Sequence, residues 1–169
     1  MNILNDFNTG RNGENKVADI LQKVGMTCAI NTEIDELSYF DLLVNWNDIC
    51  FTIEVKNDKY ASKSGNIAIE VRNSKQNKES GLNVTKADLW AHIVDDEVWI
   101  TSVKKLKKFV EENEPYRYIE NAGDGNANIV LYKVAKILPV IFICLTDNDE
   151  LPDYEIPARI MDLLNDQKK

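Results

Sequence analysis

The sequence predicts a mixed α/β fold, a central mixed β-sheet flanked by helices in the order α-β-β-β-α-β with C-terminal additions. Three patterns carry that expectation. Residues 13–24 place Val17, Ile20, Leu21 and Val24 at i, i+3, i+4 and i+7, one face of a helix. Residues 49–56 alternate Ile49, Phe51, Ile53 and Val55 with Cys50, Thr52, Glu54 and Lys56, the period of a half-buried strand. Helical and strand patterns then interleave along the rest of the chain.

The elements follow in order. Gly25 stands where a glycine stop ends the first helix. Residues 42–44 and 49–56 form two strands joined through Asn45, Trp46, Asn47 and Asp48, a hairpin. Residues 66–72 alternate Ile67, Ile69 and Val71 with polar partners and extend the sheet to three strands. After a polar connection, Thr85 caps a helix reaching Val94, with Asp88 at the capping-box position. Residues 98–101 are a short strand. Ser102 caps a further helix with Val103, Leu106, Phe109 and Val110 as its apolar stripe and Lys104, Lys105, Lys107 and Lys108 as its wet face. Residues 115–128 read as a mobile loop. Residues 128–136 and 138–145 are two strands, the second continuously apolar and so buried on both faces. Pro157 opens a closing amphipathic helix with Ile160, Leu163 and Leu164.

With 169 residues, 44% apolar and 28% charged, the chain is expected to form one globular domain, residues 1–169. The first dozen residues lack a basic stretch followed by an apolar run, and no apolar segment is long enough to span a bilayer, so a cytoplasmic protein is expected. Cys28, Cys50 and Cys144 are flanked by apolar residues and suit free buried thiols rather than a disulfide framework or zinc site. A single histidine, His92, leaves little material for a histidine base or histidine-rich metal cluster.

The formal charge of −8 argues against a polyanionic partner, but its distribution does not. Lys59, Lys63, Arg72, Lys75 and Lys78 face a single acid, Glu70, over residues 59–78, and with Lys86 they are the candidate DNA-backbone contacts. Residues 147–162 instead hold six acids against Arg159, a solvated acidic segment.

The chemistry concentrates on the hairpin. If it turns around Trp46 and Asn47, Val44 faces Ile49, Asp41 faces Thr52, and Glu54 becomes the diagonal same-face neighbour of Asp41. Asp41, Glu54 and Lys56 then converge. Two carboxylates can hold a hard divalent cation, while an ammonium group orients or helps deprotonate water. Glu14 lies on the buried stripe of the first helix, where a carboxylate needs a metal or a lysine in the facing sheet.

The run Tyr39-Phe40-Asp41-Leu42-Leu43-Val44 and the later Glu54-Val55-Lys56, with twelve residues between Asp41 and Glu54, resemble the D…ExK signature of PD-(D/E)XK nucleases, which include restriction endonucleases, phage exonucleases and Holliday-junction resolvases. Phe40 replaces the proline that names the motif; that proline shapes the strand and does no chemistry. Residues 65–70 and 80–90 are similar to small phage-encoded members, and the resemblance covers roughly residues 10–110. It implies a restriction-endonuclease-like core and a DNA endonuclease working in the cytoplasm, that of the host if phage-encoded. Asp41, Glu54 and Glu14 would bind Mg2+, with Mn2+ able to substitute, and Lys56 would position the water. Backbone contacts carry no sequence information, so structure-selective or weakly specific cleavage is implied, and the lack of an evident specificity domain admits a homodimer.

Plainer readings stand beside these. Glu54 and Lys56 also suit an exposed ion pair, Asp41 a turn residue at a strand start, and Glu14 a first-turn acid on the helix dipole. Glu70 is a further ligand, an outer acceptor or simply solvated. Lys86 suits a phosphate contact or a solvated lysine, His92 a packed side chain, the lysines of residues 104–108 a wet helix face, and Trp46 an interface aromatic. The rival function is a non-catalytic nucleic-acid- or protein-binding module on the same fold.

Overall fold

The computed structural model describes residues 3–32, 39–123, 126–146 and 152–168, with side chains assigned from Gly10 to 167 within those spans. The elements are α1 (Ile3–Lys23), β1 (Thr27–Ile30), β2 (Leu42–Trp46), β3 (Ile49–Asp58), α2 (Ala61–Ser64), β4 (Asn66–Asn73), β5 (Lys78–Glu79), a 3₁₀ turn (Gly81–Asn83), β6 (Leu89–Val94), β7 (Glu97–Ser102), α3 (Val103–Glu112), β8 (Arg117–Ala122), β9 (Ala127–Lys133), α4 (Val134–Ile141), β10 (Ile143–Cys144), a second 3₁₀ turn (Asp153–Glu155) and α5 (Ile156–Lys168). They form a six-stranded mixed sheet, β1-β2-β3-β6-β7-β10, and a four-stranded sheet, β5-β4-β9-β8. The mixed α/β class is as the sequence predicts. Among the described residues no helix is long and apolar enough to cross a membrane.

Alternation along β3 and β6 divides the apolar residues between two cores. Phe51, Ile53, Val55, Leu89, Ala91 and Ile93 meet Val17, Ala18 and Leu21 of α1 and Ile160, Leu163 and Leu164 of α5. On the opposite face, Trp90 and Val94 join Ile67 and Ile69 of β4, Leu106 of α3 and Ile137 of α4. The polar side chains of β3 therefore look toward the second sheet. α1 crosses its own face closely, because a Cβ at Gly13 would stand 3.2 Å from both Asn57 and Ile93.

Several expected elements differ. The first helix starts at Ile3 rather than 13, although it stops as expected. Gly25, at φ +87°, lets Met26 N reach Leu21 O (3.1 Å) and Gly25 N reach Gln22 O (3.0 Å), a Schellman closure. β1 was not anticipated, since four residues carry too short a pattern. The hairpin turn is Asn47-Asp48, both at positive φ (47° and 65°), a two-residue loop of the type that matches strand twist. Trp46 accordingly pairs with Ile49, Val44 with Phe51 and Leu42 with Ile53. The register is therefore two residues from the one expected, and Asp41, just before the first ladder pair, bonds Ile53 O through its N (2.9 Å). Strand 66–72 exists, yet it belongs to the second sheet.

Residues 85–94 are not a helix. Leu89–Val94 is a strand, buried at every position and flanked by β3 in parallel and β7 in antiparallel pairing. Arg117–Ala122 is a strand rather than part of a loop. Residues 138–145 break into the end of α4 and the two-residue β10; Ile137, Leu138 and Ile141 are buried while Val140 is 61% exposed, a helical face that continuous apolarity concealed. Ser102 does cap α3, its side chain accepting from Lys105 N (3.2 Å). Of the thiols, Cys144 is buried and Cys28 half-buried, but Cys50 is exposed. Residues 147–151 of the acidic segment lie outside the described residues.

One carboxylate ties the two sheets together at the end of β3. Asp58 accepts from Ala68 N of β4 (3.0 Å), from Tyr60 N (3.1 Å) and from the fully buried His92 of β6 (3.4 Å). Because His92 Nδ1 accepts from Trp90 Nε1 (3.3 Å), its proton lies on Nε2 and points to Asp58. Burial alone would raise the Asp58 pKa, but the donations from His92 and the two amides outweigh it and hold the group below its ordinary 3.8. Asp58→Ala should cost roughly 2–4 kcal/mol near neutrality, since it strands several buried donors. A group with a lowered folded pKa stabilises above its unfolded value and loses that contribution in acid. Urea unfolding should therefore show the gap between wild type and variant narrowing as pH falls below 3.8.

Candidate active site

Glu54 sits in mid-strand on β3, only 9% exposed. Its Oε1 meets Lys56 Nζ at 2.6 Å and its Oε2 accepts from Thr85 Oγ1 at 3.3 Å. Thr85 was read as a helix cap; it is instead a buried hydroxyl in the segment entering β6, bonded also to Tyr39 O (3.1 Å). Asp88, the other half of the supposed capping box, accepts from Thr52 N (2.8 Å) and Thr52 Oγ1 (3.0 Å), fastening this segment to β3. A strand-entry role for Thr85 was hidden because Ser and Thr mark helix starts as readily as they bond sideways.

Asp41 directs Oδ2 onto Val55 N (2.7 Å), so its carboxylate is held between the backbones of β2 and β3. Burial raises the Glu54 pKa, Lys56 opposes this, and the charge of Asp41 adds to it. Burial would lower the Lys56 pKa, yet Glu54 and, more weakly, Asp41 and Glu70 reverse the sign and raise it, keeping the amine protonated. Its ammonium also lies 5.7 Å from the Trp90 ring. Three carboxylates thus act on one cation across the space between the sheets.

Glu14 is half-buried, and Arg11, one turn earlier, reaches it at 3.2 Å. Burial raises the Glu14 pKa and Arg11 opposes it, with smaller effects from Asp41 and Lys56 that place it in the same electrostatic neighbourhood. Among the described residues no group of three or more His, Cys, Asp or Glu side chains is gathered as a ready metal cage.

Glu70 joins from β4. Its Oε1 accepts from Ser80 Oγ (2.6 Å), and a β-bulge at Val71 interrupts the β4–β9 ladder just beyond it. The Val71 carbonyl accepts from Ser80 N (3.2 Å) and Asn83 Nδ2 (3.0 Å), folding the 3₁₀ turn back onto the strand. Gly81 makes that approach possible: at φ +52°, a Cβ there would lie 2.4 Å from Glu70 O.

The expected backbone-binding residues scatter. Lys59 and Lys63 are exposed beside α2, and Lys75 and Lys78 lie at the β4–β5 turn beyond Glu70. Arg72 is committed to Glu79 (3.4 Å) and Asn77. Lys86 alone of the six adjoins the site, its ammonium 3.8 Å from the centre of the Tyr39 ring. His92 is packed and bonded in the core, and Trp46 packs half-buried against the α1 side of the sheet.

The sequence matches no protein-family model and no curated protein. Among solved structures, a bacterial homing endonuclease, I-Ssp6803I, is similar over 57% of this chain at 19% identity and a TM-score of 0.43, and the chain spans 64% of that structure's length. So slight a likeness assigns no residue a role.

Gly81→Ala should destabilise the protein by roughly 1–3 kcal/mol in denaturant unfolding, because the left-handed backbone and the overlap with Glu70 must both be relieved. A control at Gly25, also at positive φ but with open space around it, should cost less.

Proposed function

We propose that the chain is a metal-dependent endodeoxyribonuclease acting at Asp41, Glu54 and Lys56, with the PD-(D/E)XK arrangement that the sequence resembles. The observation that supports this best is a buried glutamate carrying a protonated lysine at 2.6 Å, with the charge of Asp41, bonded to the neighbouring Val55 N, acting on the same glutamate. Unlike a solvated surface pair, this one has a buried carboxylate, and a second carboxylate, Asp41, adds negative charge beside it.

The donor set fits a hard divalent cation. All candidate ligands are carboxylate oxygens, and Asp41 and Glu54 repel each other in a way a cation would relieve. Mg2+ commonly takes one or two carboxylates and completes its shell with water and substrate phosphate, so Asp41 and Glu54 would suffice as its protein ligands. Asp41 and Glu54 would hold it, Glu14 would reach it only if released from Arg11, and Mn2+ would substitute. When bound, such an ion acidifies a water and neutralises charge developing on phosphate.

The chain's own groups do the rest. Lys56, kept protonated by Glu54, donates to an incoming water or a phosphate oxygen and orients it; it does not remove a proton while so paired. Thr85 fixes the Glu54 oxygen not used by Lys56, and Val55 N fixes Asp41. Positioning of this kind accounts for a large share of phosphoryl-transfer catalysis.

One observation favours the rival reading of a non-catalytic nucleic-acid- or protein-binding module: Glu14, Asp41 and Glu54 each already have a partner within the protein. Incubation with duplex, single-stranded and branched DNA separates the two. Cleavage should require Mg2+ or Mn2+, stop in chelator, and fall at least about 100-fold in Asp41→Ala, Glu54→Ala and Lys56→Ala. Metal-independent or mutation-insensitive cleavage would sink the mechanism; salt-sensitive binding without cleavage of any substrate would select the module.

A further inference from the structure

We infer that the cleft between α3 and the segment entering β6 is the track for a nucleic-acid strand, binding its phosphates through Lys86, Lys104, Lys107 and Lys108. The inference rests on the nuclease reading for its direction, because the cleft begins where the candidate site ends.

Thr85, which bonds Glu54, is also part of the wall of this cleft of about 580 Å3. Its neighbour Lys86 stands over Tyr39, two residues from Asp41. The start of α3 is fixed beside them by Val103 N bonding Asp88 O (3.0 Å). From that anchored end, Lys104, Lys107 and Lys108 follow at i, i+3 and i+4, so all three share one helix face and all line the cleft. Lys104 and Lys108 are about 6 Å apart along the helix axis, against about 3.4 Å of rise per phosphate in one strand, which spaces them for alternate phosphates.

The charge is also graded along the helix. The carboxylates of the cleft, Glu111 and Glu112, come last, about two turns from the site end, and Glu112 meets Lys108 at 3.8 Å, a long exposed contact. Four ammonium groups against two carboxylates make this wall locally positive in a chain of formal charge −8. Exposed lysines on a helix gain little from folding the chain; their free energy is available to a polyanion, for which counterion release is the main driving force. The other basic positions expected from sequence are worse placed: Arg72 is already paired and Lys75 and Lys78 lie beyond Glu70 at the β4–β5 turn.

The test is fluorescence anisotropy of the full chain with a short labelled single strand and its duplex, in EDTA so that nothing is cut, over a range of salt. Replacing Lys104, Lys107 and Lys108 together by alanine should weaken binding roughly 10-fold or more and reduce the slope of log affinity against log salt by about 2. The corresponding triple arginine variant should bind like wild type, and Lys75→Ala with Lys78→Ala should change little. A triple alanine variant that binds like wild type, a Lys75→Ala/Lys78→Ala variant that loses as much, or a wild-type chain that binds neither DNA overturns the assignment. Cleavage in Mg2+ separates it from the nuclease reading. If wild type cuts nothing yet the α3 variant still loses binding, the cleft stands and hydrolysis falls; if the α3 variant binds and cuts normally, the reverse holds.

Discussion

Everything around the candidate site depends on β3 and β6 lying side by side in the same direction. Parallel neighbours cannot be joined by a tight turn, so the chain must leave the sheet after Asp58 and return before Leu89. In most α/β units a helix covers that journey. Here the excursion lays down α2, β4, β5 and a 3₁₀ turn, and β4 founds a second sheet on the first. The polar face of β3 is therefore roofed by its own crossover, which brings Thr85 onto Glu54, the charge of Glu70 to bear on Lys56, and Gly81 against Glu70. Asp58 secures the departure and Asp88 the return, each by accepting several hydrogen bonds.

This roof explains the electrostatics. A strand carrying Glu54 and Lys56 at an open edge would hold a screened ion pair worth very little. Here Glu54 is buried while Lys56 keeps part of its side chain in solvent, and Asp41, Glu70 and Glu14 impose further negative charge on that single ammonium. The surplus of carboxylate over cation at this one place is the feature that a divalent ion or the hydrolytic chemistry of phosphate would use.

The hairpin and the parity of its residues were legible because β3 has a clean period of two with one apolar side. Its register was not, since whether Trp46-Asn47 or Asn47-Asp48 forms the turn depends on two residues accepting positive φ. Leu89–Val94 was misread for a different reason: a strand buried on both faces loses its alternation, and a preceding Thr-x-x-Asp imitates a helix start. α4 is the converse error, eight largely apolar residues whose helical face shows only when Val140 and Lys136 are seen to point outward. Asp41, Glu54 and Lys56, the candidate residues, came from local spacing; the contacts of Thr85 with Glu54 and of Gly81 with Glu70 join separate segments and could not be read from spacing.

The Asn47-Asp48 loop also sets a phase. Side chains in a strand alternate between faces, so the length of this loop determines whether Asp41 and Glu54 meet or stand on opposite sides of the sheet. An insertion of one residue there must be swallowed as a bulge or it separates the two carboxylates without touching either. Substitution at the exposed tip should consequently be tolerated within the limits of positive φ, whereas a change in loop length should not, so that the parity of a surface turn protects the site from a distance.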